Sequence, residues 1–183
     1  NLEYFDEWSK DKSFLVDMLE MLDNVLQKFI NEAPDSISRA KYSAIRERSV
    51  GVGALGFHAY LQSRNIPFES AMAKSINMRM FKHIRTELDH ANRNLALLRG
   101  EAPDAAGTGL RCSHVMAIAP NASSSIIMGN TSPSIEPWRA NAYRQDTLSG
   151  SFLNKNKFLD KIIKEKCKKD SKLKYDRIWS SII

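Results

Sequence analysis

The sequence predicts an α/β chain that is mostly helical and has few strands. Two stretches, residues 14–30 and 67–100, repeat apolar residues at helical spacing. A third, Cys112 to Ala119, alternates with period two: His114, Met116 and Ile118 fall on one face, and Val115, Ala117 and Ala119 on the other. Both faces are largely apolar, as in a strand covered on both sides. Pro120 stops that run. Asn121, Ala122, Ser123, Ser124 and Ser125 follow, ahead of the apolar Ile126, Ile127 and Met128, which read as the first turn of a helix capped by one of the small polar residues.

The 183 residues, 43% hydrophobic and 26% charged, suit one domain over 1–183 or a piece of a larger one. Two cysteines are too few for a disulfide framework. Nothing resembles a signal peptide, and no apolar run is long enough to span a bilayer, so a cytoplasmic setting with no membrane partner is the default expectation. Net charge is +6, and the excess sits mostly in a Lys-rich segment at about 155–175, from Lys155 and Lys157 to Lys172 and Lys174. Such a run reads as a solvated helix face and linker. No aromatic residue is interleaved between Leu159 and Leu173 for base stacking. The chain opens on Asn1 without a Met and closes on the apolar Trp179, Ile182 and Ile183, a pattern expected of a cut through a longer protein.

In the first helix Phe14, Met18, Met21, Leu22, Val25, Leu26, Phe29 and Ile30 form a stripe that Leu15 and Leu19 widen. A mostly buried helix is expected, ended by Pro34. Next comes RERSVGVGALGFHAY, with Gly51, Gly53 and Gly56 in a literal G-x-G-x-x-G. A dinucleotide site needs an apolar strand just before the glycines, and KYSAIRERS is charged and short of β-branched residues. The glycines fit a close approach of helix or backbone instead.

From Pro67 to Gly100, the residues Ala73, Ile76, Met80, Phe81, Ile84, Leu88, Ala91, Leu95 and Leu98 make one stripe of a second long helix. That helix carries Glu87-x-x-His90 with His83 one turn earlier. A di-iron bundle needs two such motifs and two further glutamates. With one copy, the group reads as a solvated polar face. Residues 101–110 form a turn-rich linker, and Phe158, Leu159, Ile162 and Ile163 suggest a short amphipathic helix. Cys112 reads as a small buried hydrophobe and Cys167 as an exposed, incidental thiol.

A strand that runs through a Ser-rich turn into a helix leaves unpaired N–H groups and hydroxyls facing one point, a good place to hold a phosphate. The string AIAPNASSSIIMGNTSPSIEPWRANAYRQDTLSGSF resembles the substrate-phosphate loop and following segment of the class I ribonucleotide reductase large (alpha) subunit. Trp138, Tyr143, Leu148, Phe152 and Asn154 match the family's continuation after the loop. Arg48, Gly51, Gly53 and Gly56 resemble its R-x-x-G-x-G-x-x-G run before a barrel helix, and PFESAMAKSINMRMFKHIRTELDHANRNLALLRGE resembles a helix around the barrel.

The resemblance implies part of the ten-stranded α/β barrel and reduction of a ribonucleoside diphosphate at the 2′ carbon by a cysteine thiyl radical. Ala122, Ser123 and Ser124 match the residues that contact the substrate's phosphates, flanked by Asn121 and Ser125. It further implies a radical-bearing small subunit with a dimetal cofactor, an external dithiol reductant, the rest of the large subunit as a partner, and a homo-oligomer when complete. Cys112 stands where an asparagine is common, and no catalytic role is carried onto it. The radical cysteine and its neighbours, the redox cysteines and the radical-relay tyrosines match nothing in the chain, so no cofactor is expected here and no activity from the chain alone. A metal-binding helical protein, tested by stoichiometric iron or manganese, and a basic nucleic-acid-binding module, tested by strongly salt-dependent duplex binding, are the alternatives.

Overall fold

In chain order the helices of the computed structural model are α1 (Phe5–Trp8), α2 (Phe14–Glu32), α3 (Ser38–Glu47), α4 (Phe57–Ser63), α5 (Ala71–Arg99) and α6 (Ala122–Ile127). An antiparallel hairpin follows, β1 (Ala142–Thr147) and β2 (Gly150–Lys155), and then α7 (Lys157–Lys169) and α8 (Tyr175–Ser180). The structure describes residues 1–147 and 150–182. Leu148 and Ile183, named above, lie outside the described residues.

Helix α5 is the axis of the molecule. Met80, Ile84, Leu88, Ala91 and Leu95 are buried against Leu15 and Leu19 of α2 and Phe57, Tyr60 and Leu61 of α4. At about 1.5–3 kcal/mol for each large apolar side chain removed from water, this one stripe is the main source of cohesion. Leu98 belongs to the expected stripe but is 80% exposed.

The start of α5 is set by Ser70, whose Oγ accepts the Ala73 amide at 3.1 Å, and its end by Gly100 at φ +84°. Ser70→Ala is therefore expected to lower stability by about 1 kcal/mol in urea unfolding. An unchanged midpoint would show that the first turn is frayed.

Helix α2 departs from expectation. It was expected to be mostly buried, yet Met21 and Val25 are 56% and 60% exposed, and the buried residues are Leu15, Leu19, Asp23 and Ile30. The helix packs on α5 along a narrow stripe with a carboxylate in it. Asp23 is paired with Arg48 at 2.6 Å, Arg99 at 2.8 Å and Arg111 at 3.2 Å.

The strand expected at Cys112–Ala119 is extended but barely paired. The Val50 amide donates to His114 O, the Val52 amide to Val115 O and the Ala117 amide to Val52 O, and this yields a single parallel bridge, Val52 to Met116. Cys112 and Val115 are buried, whereas Ala117, Ile118 and Ala119 are exposed. A strand covered on both faces needs neighbours on both sides, and among the described residues this one has Val50–Val52 alone.

The hairpin was not anticipated, although Ser149-Gly150 between two mixed polar and apolar runs is a turn signal. It delivers the chain to Asn156, whose side chain accepts the Phe158 and Leu159 amides and starts α7.

Candidate functional site

The three glycines create the floor of the site. A Cβ on Gly51 would stand 2.7 Å from the Ala117 Cβ, and one on Gly53 would stand 3.2 Å from the Ala117 carbonyl oxygen. Only glycine at both places lets the 50–54 segment lie against the extended 114–119 segment. The backbone then turns at Gly56, φ +85°, directly into α4.

Asn121 follows Pro120 in the left-handed conformation, φ 51°, and its Nδ2 donates to the Ala54 carbonyl at 3.1 Å. Its side chain thus fastens the turn to the glycine segment and does not cap the helix. Helix α6 starts at Ala122, so Ser123 to Ser125 lie inside its first turns, earlier than the capped helix expected at Ile126. The first bond of the helix is from the Ser125 amide to Asn121 O at 2.9 Å. The amides of Ala122, Ser123 and Ser124 have no hydrogen-bond acceptor among the described residues, and all three residues are exposed.

Ser125 points the other way. It is buried, with Oγ donating to Ala122 O at 2.8 Å and its carbonyl accepting the Thr131 amide. The five expected site residues therefore divide in two. Ala122, Ser123 and Ser124 present amides and two hydroxyls to solvent, and Asn121 and Ser125 hold the turn in place.

Residues 129–134 close the loop from behind. Gly129, Asn130 and Ser134 all have positive φ, at 91°, 51° and 43°, and such strain collects where surrounding contacts fix a functional loop. Ser132 Oγ accepts the Ala59 amide at 3.0 Å, and Ser132 O accepts the Gly56 amide at 2.8 Å. Sequence reasoning missed this clamp, as it missed Asn92, whose buried side chain grips Cys112 through Nδ2 to Cys112 O at 2.9 Å and Oδ1 from Cys112 N at 2.8 Å. An asparagine within an apolar helical stripe was its only signal.

Cys112 itself is fully buried. Burial first, and then the nearby Asp23 charge, push its thiol up to about 11, so near neutral pH it is not a thiolate nucleophile.

His83, Glu87 and His90 do not form a metal centre, and among the described residues no three His, Cys, Asp or Glu side chains converge as one. The His83 ring packs edge-on against Phe5 at 5.6 Å. His58 ties α4 to the segment beyond the loop, its Nδ1 accepting the Trp138 amide at 3.1 Å. Burial holds the ring below its ordinary value of 6.5, so it is neutral at pH 7 and free to accept. A depressed histidine contributes fully above pH 6.5, and its contribution is lost as pH falls below that. Thermal unfolding between pH 7.5 and 5.5 should show a loss of about 1 kcal/mol that His58→Gln does not show. Equal slopes for the two proteins would remove His58 from the account.

The sequence profile described as the ribonucleotide reductase barrel domain matches residues 1–108 and 102–180. The ribonucleoside-diphosphate reductase large subunit of Invertebrate iridescent virus 3 is 54% identical over all of the chain, which spans 29% of that protein. The large subunit of Invertebrate iridescent virus 6 is also 54% identical, and the chain spans 19% of it. Among solved structures, the Actinobacillus ureae class Id ribonucleotide reductase alpha subunit superimposes on the whole chain with a TM-score of 0.86 at 35% identity, the chain spanning 33% of it. The chain is thus a fifth to a third of the length of these relatives. The unpaired edge of the 112–119 segment fits part of a barrel, and the chain belongs to the ribonucleotide reductase barrel-domain family of large subunits.

Proposed function

We propose that this chain supplies the substrate-phosphate loop and part of the barrel scaffold of a ribonucleoside-diphosphate reductase large subunit. That enzyme makes deoxyribonucleotides, the precursors for DNA synthesis, in the cytoplasm. The observation that carries the proposal is the set of three consecutive unpaired amides at Ala122, Ser123 and Ser124, exposed beside two hydroxyls in a chain of this family. A diphosphate bound there accepts from the amides and from the Ser123 and Ser124 hydroxyls, while Asn121 and Ser125 keep the turn rigid beneath it.

The chain's contribution is binding and orientation. No radical step is assigned to its residues: Cys112 is buried and protonated, and it is tied by its backbone into the scaffold. The radical and its dimetal centre belong in this proposal to a separate small subunit and the reducing electrons to an external dithiol. The remaining catalytic groups come from the rest of the large subunit, and the complete enzyme is a homo-oligomer.

The test is reductase activity on a ribonucleoside diphosphate with dithiol, effector and radical subunit supplied, the chain being run alone and then with the remaining parts of a large subunit, catalytic cysteines and radical-relay tyrosines included, supplied as separate polypeptides. Activity is expected only in the mixture. Ser123→Ala or Ser124→Ala removes a hydrogen bond to a charged group, about 1.5–3 kcal/mol, so KM should rise about ten- to hundredfold, and tryptophan at either position should abolish turnover. Activity that survives both tryptophan substitutions would place phosphate binding elsewhere, and activity of the chain alone would overturn the division of labour.

A further inference from the structure

Residues 155–174 hold nine lysines against Asp160, Glu165 and Asp170, so this stretch accounts for the whole net charge of +6 and the remaining 163 residues are neutral overall. Most of it is helix α7, which is anchored from beneath. Ile163 is buried, and Asn156, at the start of the helix, donates through Nδ2 to Gln62 Oε1 of α4 at 3.0 Å. Two of the lysines are spoken for, Lys157 by Glu3 at 2.7 Å and Lys164 by Asp160 at 2.6 Å.

The outer face is different. Phe158, Lys161, Ile162, Glu165, Lys168 and Lys169 follow one another at spacings of three and four and so share one side of α7. Lys161, Lys168 and Lys169 are exposed and have no ion-pair or hydrogen-bond partner among the described residues. Glu165 is the single acid on this side.

The same side forms one wall of a groove. Two adjoining hollows, of about 360 and 220 Å³, lie between α7 and the chain leaving α4, and share Gln62, Asn65, Phe158 and Ile162 in their walls. Ile66, Pro67 and Leu159 complete an apolar floor in the larger one, and Lys161 and Glu165 rim the smaller. Ile162 is 37% exposed at the boundary between them.

We propose that this groove is a docking site for an acidic peptide segment of a partner polypeptide, with apolar side chains seated against Ile66, Pro67, Leu159 and Ile162 in the larger hollow and Asp or Glu residues beside them facing Lys161, Lys168 and Lys169. Both halves of that chemistry are present together. Three lysines against one acid in the row select negative charge and speed its arrival. The larger hollow, with its apolar floor, selects apolar side chains, which a phosphate backbone lacks. A single-stranded nucleic acid would instead need aromatic faces among the lysines for its bases, and Phe158, the nearest aromatic, is already packed on Trp138 at a centroid distance of 5.9 Å. The groove is independent of the Ser123–Ser124 loop.

Phage-displayed random dodecapeptides selected on the immobilised full chain test the proposal. The selected sequences should pair two apolar residues with flanking Asp or Glu. A fluorescein-labelled copy of the leading peptide should bind at least tenfold more weakly to Lys161→Glu/Lys168→Glu and to Ile162→Glu, and more weakly in high salt. If Ile162→Glu does not fold, the charge reversal at the two exposed lysines decides. Failure to enrich any sequence, selected peptides without acidic bias, or undiminished binding to the folded variants would each overturn the proposal. So would a labelled twelve-nucleotide DNA strand that binds more tightly than the peptide.

Discussion

Replacing Asp23 with alanine is expected to lower folding stability by about 3–5 kcal/mol, the usual result of removing one partner from a buried ion pair. The carboxylate is fully buried and serves three guanidinium groups. Arg48 donates through Nε at 3.0 Å and Nη2 at 2.6 Å, Arg99 through Nη1 at 2.8 Å and Arg111 through Nε at 3.2 Å. Arg48 is itself buried, in the left-handed conformation that ends α3, and Arg111 leads into the extended segment before the loop. Without Asp23, Arg48 loses its only carboxylate among the described residues and keeps Gln27 Oε1, at 2.8 Å, as its remaining side-chain acceptor there.

The same group sets an acid limit. Burial alone would raise the Asp23 carboxyl, but the hydrogen bonds from Arg48, Arg99 and Arg111 outweigh it and hold the group below its ordinary 3.8. Its contribution is therefore complete above about pH 4 and is lost as the pH falls below that. Urea unfolding of wild type and Asp23→Ala at pH 7 and at pH 3 should show a large difference at the first and a smaller one at the second. Asp23→Asn, which keeps the shape and some of the hydrogen bonds, should fall between. A loss under 1 kcal/mol at pH 7 would mean that water replaces the carboxylate and that the cluster does not fasten the fold.

Much of this architecture is legible in the residues themselves. Period and the closing glycine mark α5, because Ala73 to Leu95 recur at helical spacing ahead of Gly100, although the helix begins at Ala71 behind Ser70 and not at Pro67 as the pattern suggested, and its burial is decided by that one stripe. The burial of α2 was less legible: apolar residues surround the helix on several sides, and only its partner α5 determines that Leu19 goes in while Val25 stays out. The inward Asp23 was invisible for the same reason, since its three arginines lie 25, 76 and 88 residues away. At the candidate site the string Asn121–Ser125 located the turn. Which members face out depended on two contacts that composition does not carry, Asn121 to Ala54 and Ser125 to Ala122. The strand at Cys112–Ala119 shows the converse limit. Its alternation encodes a two-sided setting of which this chain supplies one side.

Gly56→Ala is expected to cost about 2–5 kcal/mol and to loosen the phosphate loop, although residue 56 touches none of the loop's exposed residues. Two effects add. At φ +85° an L side chain is strained by about 1–2 kcal/mol. A Cβ there would also stand 2.4 Å from Asn1 Oδ1, 2.9 Å from Thr131 Oγ1 and 3.1 Å from the Glu3 amide nitrogen. The Asn1 side chain can swing aside, but the Glu3 backbone cannot do so without moving the 2–4 turn, and Thr131 is packed into the buried back of the loop, where its amide bonds Ser125 O. Overpacking of that kind adds about 1–3 kcal/mol. Gly100→Ala is a control without a clash: nothing lies within 4 Å of its Cβ, and its backbone, at φ +84° and ψ 162° against ψ 13° at Gly56, carries at least as much strain. Hydrogen exchange should separate the two, with faster exchange at Ser125 and Thr131 in Gly56→Ala and no change there in Gly100→Ala. Equal destabilisation and unchanged loop exchange in both would show that Gly56 serves only its own turn. Faster loop exchange confined to Gly56→Ala would instead tie the glycine segment, through Thr131 and Ser125, to the rigidity on which the Ala122–Ser124 amides depend.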